Sequence, residues 1–246
     1  LREISEQLSV LSPVFGNNSK KSAEQFELVI TDKNDLAGVP DMAIEQAQFA
    51  AEERGLKGKW LVTLDMPSYI PFIQYADNRE LREKAWRAFA SRARGGEFDN
   101  SENVLTMVRL KHERAQLLGY KTHAHYVLEE RMAEKPETVM AFLEKLKKSY
   151  RPAALKDLEN LQAFAKKQGL KDDLKPWDVP YYGEKMKEDL FKFSSEELRP
   201  YLPLDNVLKG CFEHFSKLFG LKFIKTDRYP LWHKDVQAFD VANAKD

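Results

Sequence analysis

The residues best suited to chemistry in this chain lie between Asn103 and Ala133, NVLTMVRLKHERAQLLGYKTHAHYVLEERMA, which holds three of the five histidines, His112, His123 and His125. His112-Glu113-Arg114-Ala115-Gln116 departs from the pattern HExxH in its last letter. In that pattern two histidines four residues apart share a helix face and ligate zinc, and the glutamate beside the first activates the bound water. Gln116 stands where the second histidine belongs, and its neutral amide oxygen is a poor zinc ligand. His112 falls at the edge of an apolar stripe formed by Leu105, Val108 and Ala115. Glu113 follows Arg109 by four residues, the spacing of a surface ion pair. His123 and His125, two apart at the start of a helix, point in different directions. We therefore read all three as packing or solvent-facing histidines and expect no catalytic, cofactor-binding or metal residue in the chain.

Other templates give the same answer. There is no GxGxxG and no P-loop lysine to cradle phosphate, and no GxSxG nucleophile elbow. The single cysteine, Cys211, rules out an intrachain disulfide and sits in an apolar helical segment, where a thiol is shielded. His214 lies among Phe215 and Phe219, and His233 is flanked by Trp232 and Asp235, a possible ordered pair that lacks a nucleophile. Lys plus Arg equal Asp plus Glu at 39 each, so no global field attracts nucleic acid or an anionic membrane. No apolar run is long enough to cross a bilayer. Cysteine usage fits a reducing compartment, so a cytoplasmic location is expected, with the periplasm also compatible. The first residue is Leu and no signal peptide is visible, so the chain is expected to begin within a longer protein.

The elements that must position these residues are mostly helices. Leu1, Ile4, Leu8, Leu11 and Phe15 mark a first helix ended by Gly16-Asn17-Asn18, with helical patterning resuming from Ser22 to Ile30. Asp41–Arg54 is a helix entered through Pro40 and closed by Gly55. Trp60–Leu64 is the best strand of the first half, broken by Met66-Pro67-Ser68. A helix follows from Asn78 with Leu81, Ala85, Trp86 and Phe89 on one face, stopped by Gly95-Gly96. Ser101–Leu118 and Thr122–Ala133 flank Gly119. Glu137–Gln168 is one long helix that Pro152 should kink or divide near Tyr150. Leu170–Trp177 reads as a linker, and Asp178 starts the next helix. Ser194 and Glu197 have capping-box spacing, and Leu204–Leu218 closes at Gly220. Leu221–Lys225 and Val236–Val241 alternate like strands around a Pro230 turn, with no further strand to pair the second. The fold class is mainly α, with a few short strands near 60–65 and 221–241.

Taken in order, LVTLDMPSYIPFIQYADNRELREKAWRAF, then FDN, then RLKHERAQLLGYKTHAHYVLEERMA with Pro136 after it, and later PWDVPYYGEKMK, LRPYLPLDNVLKGCFEHFSKLFGLKF and WHKDVQAFDV form one pattern over essentially the whole chain. It resembles the thimet-oligopeptidase family of zinc metallopeptidases. The wording around PSYIPFIQYADNR and LRPYLPL leans toward the peptidyl-dipeptidase and oligopeptidase A branch. The resemblance implies a mostly helical, clam-like protein whose deep channel admits short peptides, cleaved by zinc-activated water with a glutamate as base. The family's HExxH and later glutamate have no match between Leu1 and Asp246, and HERAQ belongs to a different family segment, the helix carrying LLGY. Zinc is thus implied for the full-length protein, and none is expected in this chain. The expectation is one helical region, 1–246, truncated before the zinc helix, with a division into a helical lobe at 1–170 and the start of a second lobe at 171–246 as the alternative. Its role would be to form the walls of the substrate channel without itself being catalytic, with aromatics such as Tyr181 or Tyr201 conceivable as peptide grips. The partners implied are short peptides and the missing C-terminal catalytic portion, with no nucleic acid and no membrane. An alternative is a non-enzymatic helical module that binds a peptide or protein in its groove. A third reading, ranked last, is a metal enzyme using His112 and His123 with carboxylates.

Overall fold

The computed structural model describes residues 1–243. It divides into two compact units, Leu1–Phe191 and a second beginning at Lys192. The first unit runs α1 (Arg2–Glu24), β1 (Leu28–Ile30), a 3₁₀ turn (Lys33–Leu36), α2 (Asp41–Glu53), β2 (Trp60–Val62), α3 (Met66–Tyr75), α4 (Arg79–Ala90), α5 (Ser101–Leu117), α6 (His123–Leu128), α7 (Pro136–Lys167) and α8 (Val179–Phe191). The second holds a 3₁₀ turn (Ser195–Tyr201), α9 (Leu204–Phe219), β3 (Leu221–Thr226) and β4 (Ala238–Asn243). The architecture is mainly α, and β2, β3 and β4 overlap the segments that alternation and β-branched residues mark as strand, whereas β1 does not.

Three local expectations are overturned, two of them by longer-range contacts, and a fourth is narrowed. Helix α1 runs through Gly16 without a break, because Asn100 of the 91–100 loop holds that stretch from outside. Its Nδ2 donates to the Phe15 carbonyl at 3.1 Å, and its Oδ1 accepts from Asn18 Nδ2 at 3.1 Å. Residues Leu28–Ile30 are strand rather than helix, since they pair antiparallel with β2 from Leu28↔Val62 to Ile30↔Trp60. Pro152 does not divide α7, which is continuous over 32 residues. The Lys148 carbonyl that loses its donor lies in an exposed stretch, where water can take the place of the missing bond. The Thr122–Ala133 helix stops at Leu128, five residues short of its expected end.

The main core of the first unit gathers Ile30, Leu36, Val62, Leu64, Tyr69, Phe72, Ile73, Ala76, Ala85 and Trp177. Gly38 is fixed by this packing. With φ at +85°, an added Cβ would lie 2.3 Å from the Tyr75 carbonyl oxygen, so no other residue fits. A second cluster seats α7 on α8 through Leu161, Ala165, Leu170, Tyr181 and Tyr182. A third joins α1 to α5 through Ile4, Leu8 and Leu110. Residues 171–191 pack within this first unit.

Between the first two clusters lies a buried ionic junction. Asp178 is fully buried and Arg82 is 1% exposed. Asp178 accepts from Arg79 Nε at 3.0 Å and Nη2 at 2.8 Å, from Arg82 Nη2 at 3.1 Å and from the Lys175 amide at 3.0 Å. Arg82 also donates to the carbonyls of Ala76 at 2.7 Å, Asp77 at 3.2 Å and Trp177 at 3.3 Å. Its guanidinium lies 3.9 Å from the Tyr181 ring centre, and Tyr181 Oη donates to Asp77 at 2.7 Å. One arginine thus closes the C-terminal end of α3, the approach to α8 and the face of α8.

In the second unit, Phe212 of α9 stacks on Phe223 of β3 at 4.6 Å and tilts against Phe239 of β4 at 4.9 Å. The strand expected to lack a partner has one. β3 and β4 pair antiparallel from Leu221↔Asn243 to Thr226↔Ala238. Gly220 adopts the left-handed conformation that ends α9, and Ser194 and Glu197 form the capping box their spacing implies.

The junction is testable by substitution and by pH. Asp178→Ala leaves Arg82 charged and buried without its partner, so it should cost about 3–5 kcal/mol in chemical denaturation. Burial pushes the Asp178 carboxyl upward, but the hydrogen bonds from Arg79, the Lys175 amide and Arg82 outweigh it and hold it below the usual carboxylate range. A depressed carboxylate stabilises the fold above its unfolded value, and that stabilisation is lost as pH falls through the folded one. The stability gap between wild type and Asp178→Asn should therefore be full at neutral pH and shrink below about pH 4. A gap independent of pH would refute this assignment.

Candidate functional site

The motif-bearing region is the α5–α6 hairpin. Asn100, at the start of α5, is buried, and Asp99 accepts from the Ser101 amide at 2.9 Å and its hydroxyl at 2.7 Å. At the other end the last letter of HERAQ has a structural task. Gln116 Nε2 donates to the carbonyls of Tyr120 at 3.3 Å and Lys121 at 2.7 Å, tying the chain beyond Gly119 back to the helix. Arg114 lies 5.5 Å from the ring centre of Tyr126 on α6. Thr122 caps α6, its hydroxyl accepting from the His125 amide at 3.4 Å.

The three histidines have separate surroundings. His112 is exposed, and so are Leu105 and Val108 of the stripe it borders, whereas Ala115 is buried. His123 is half-buried beside Tyr126, with its Nδ1 buried and without a hydrogen-bond partner. Burial, then the nearby Lys111 and Arg114 charges, lower its pKa below the ordinary histidine value. His125 is held by Thr122 Oγ1, 2.8 Å from its Nδ1, with Glu137 3.9 Å from its Nε2. The ion pair expected between Arg109 and Glu113 is absent among the described residues, since i,i+4 spacing gives proximity without requiring two solvated side chains to meet.

The remaining candidates fare differently. His233 and Asp235 do form the local pair their spacing suggested, Nδ1 to Oδ2 at 3.6 Å. His214 stands edge-on to Phe215. Cys211, expected to be shielded, is exposed, because it lies off the α9 face that meets the sheet through Phe212. Tyr181 is 7% exposed and stacked on Arg82, so it is committed to the core and unavailable as a peptide grip. Tyr201 is 79% exposed.

A zinc centre needs three or four convergent nitrogen, sulfur or carboxylate donors. Among the described residues, no group of three or more His, Cys, Asp or Glu could hold a metal ion. The concentration of buried charge lies elsewhere, at Arg79, Arg82 and Asp178, which motif reasoning missed. A signal for Arg82 existed, since it shares the helix face of Ala85, Trp86 and Phe89, where a charge must be paired if buried.

The fold and the site together define a mainly helical scaffold with its histidines apart from one another and no assembled metal centre among the described residues. Comparison with known proteins supplies the lineage. The profile of Peptidase family M3 matches residues 72–246, and the chain belongs to that family, one of zinc metallopeptidases. It is 39% identical to oligopeptidase A of Escherichia coli over 97% of this chain and 36% of that protein. It is 36% identical to the probable cytosolic oligopeptidase A of Arabidopsis thaliana over 98% of this chain and 36% of the relative. It is 28% identical to dipeptidyl carboxypeptidase of Escherichia coli over 98% of this chain and 36% of the relative. The chain thus spans little more than a third of the length of these relatives.

The histidine assignments predict separable outcomes. His112→Ala should change stability by less than about 0.5 kcal/mol, as for an exposed side chain without a partner, and leave bound zinc, measured by elemental analysis, unchanged. Loss of zinc on that substitution would restore the metal reading of HERAQ. In an NMR titration His123 should have its midpoint below the ordinary value of about 6.5. A midpoint above that value would contradict its burial beside Arg114.

Proposed function

We propose that the whole protein is an oligopeptidase that hydrolyses short peptides, and that this chain contributes walls of its substrate channel rather than the metal centre. The observation that carries the reading is the family match over residues 72–246, with no group of three or more His, Cys, Asp or Glu among the described residues that could hold a metal ion. In this reading the metal ligands and general base lie outside residues 1–246. The higher identity to oligopeptidase A than to dipeptidyl carboxypeptidase favours endopeptidase action on short peptides over removal of C-terminal dipeptides. Among the described residues no helix is long and apolar enough to cross a membrane, and one relative carries the name of a cytosolic enzyme. A cytoplasmic location is part of the proposal.

A rigid wall is what the buried junction at Asp178 provides. Channel walls exclude folded proteins only if their helices hold position, and a junction of buried charge with several partners resists the local opening that would widen a channel. The test is hydrolysis by the whole protein of short peptides beside folded substrates. Short peptides should be cleaved within the chain, folded proteins should resist, and chelation should abolish activity. The 1–246 chain alone should bind no stoichiometric zinc and turn over no peptide. Chelator-sensitive turnover by that chain would overturn the division of labour proposed here.

A further inference from the structure

Helix α7 is 32 residues long, but α8 covers only its last turns. Leu161 and Ala165 are buried against Tyr181 and Tyr182, whereas every residue from 147 to 160 is exposed. At helical spacing Leu143, Leu146, Tyr150, Ala154 and Leu158 fall on one stripe, and that stripe runs on into Leu161, Phe164 and Ala165. One apolar surface is therefore core at its C-terminal end and bare over its middle. Tyr150 is 68% exposed, and Leu143 and Leu158 are each 48% exposed. Isolated exposed leucines need no explanation, but a continuous stripe does.

The borders of the stripe differ. Lys147, Lys148 and Arg151 follow one side, opposed there by Glu144, to which Lys147 Nζ donates at 3.1 Å. The other side carries Ser149 and Asn160, and Asp157 puts one carboxylate on that edge of the stripe, so the basic border is confined to the side of Lys148 and Arg151. Pro152 falls on the face opposite the stripe, so the backbone bond it removes does not roughen the apolar surface.

We propose that the bare part of this stripe is the docking face for an apolar helix with an acidic border, supplied by the part of the whole protein outside residues 1–246. The proposal rests on the reading of the chain as one portion of a longer family M3 peptidase. Three observations favour this occupant. The bare surface continues an existing helix–helix interface, the α7–α8 contact. Its basic border calls for negative charge opposite. The chain covers 36% of Escherichia coli oligopeptidase A, which leaves most of that relative's length to supply a partner.

Cysteine accessibility in the whole protein tests this. In a background carrying Cys211→Ser and cleared of other reactive thiols, Tyr150→Cys and Lys156→Cys are labelled with a maleimide. Tyr150→Cys, on the stripe, should react roughly tenfold more slowly than Lys156→Cys, off it, as expected for a packed site. Adding Lys148→Glu and Arg151→Glu should speed labelling at position 150 by removing the charge match. Equal rates at the two positions would overturn the proposal, and so would protection that vanishes on dilution, which would assign the face to a second copy. Peptide hydrolysis by the same variants separates the two claims. Activity with an unprotected position 150 refutes the docking alone, and protection without hydrolysis supports the docking while refuting the oligopeptidase reading.

Discussion

The first unit depends on a buried carboxylate shared by two arginines. Asp178 on its own would be too costly to bury, and so would Arg82. Together with Arg79 they use nearly every donor and acceptor they have, on groups from α4, the residues just after α3 and the approach to α8. Such a junction adds less net stability than its number of bonds suggests, because desolvation offsets most of the attraction. What it adds is definition. Helices α3, α4 and α8 have one mutual arrangement that satisfies Arg82, and any slippage strands a charge.

That arrangement organises the apolar clusters around it. Trp177 enters the main core one residue before Asp178 and tilts against Trp86 at 5.6 Å. Tyr181 and Tyr182 follow Asp178 and form the seat for the end of α7. The segment that composition marks as a linker, Leu170–Trp177, is thus the joint between two clusters, with Leu170 and Trp177 both buried. Charged turn residues such as Asp172 and Asp173 make the stretch look like a solvated connection, whereas Leu170, Leu174 and Trp177 face inward.

The histidine region teaches a related lesson about motifs. HERAQ has most of the letters of a zinc site, yet its helix places His112 in solvent and uses Gln116 to bind the carbonyls after Gly119. The missing second histidine was readable from sequence and decides against the motif as a metal site. The capping role of Gln116, and the partnerless Nδ1 of His123 beside Tyr126, required the hairpin to close before they could be seen.

Local pattern determined the mainly helical class, the positions of α2, α4, α5, α8 and α9, the strand at Trp60 and the capping box at Ser194, because each depends on periodicity or on a side chain reaching its own backbone. The family itself was legible for a similar reason, since an ordered series of segments is specific where one motif is not. Tertiary structure decided what those elements do at their margins. It carried α1 through Gly16 by way of Asn100, turned Leu28–Ile30 into strand by offering β2, and paired the last strand with β3. It also brought Asp178 to Arg82 across 96 positions. These outcomes depend on partners distant in sequence, whose packing and hydrogen bonds outweigh propensities worth less than about 1 kcal/mol per residue.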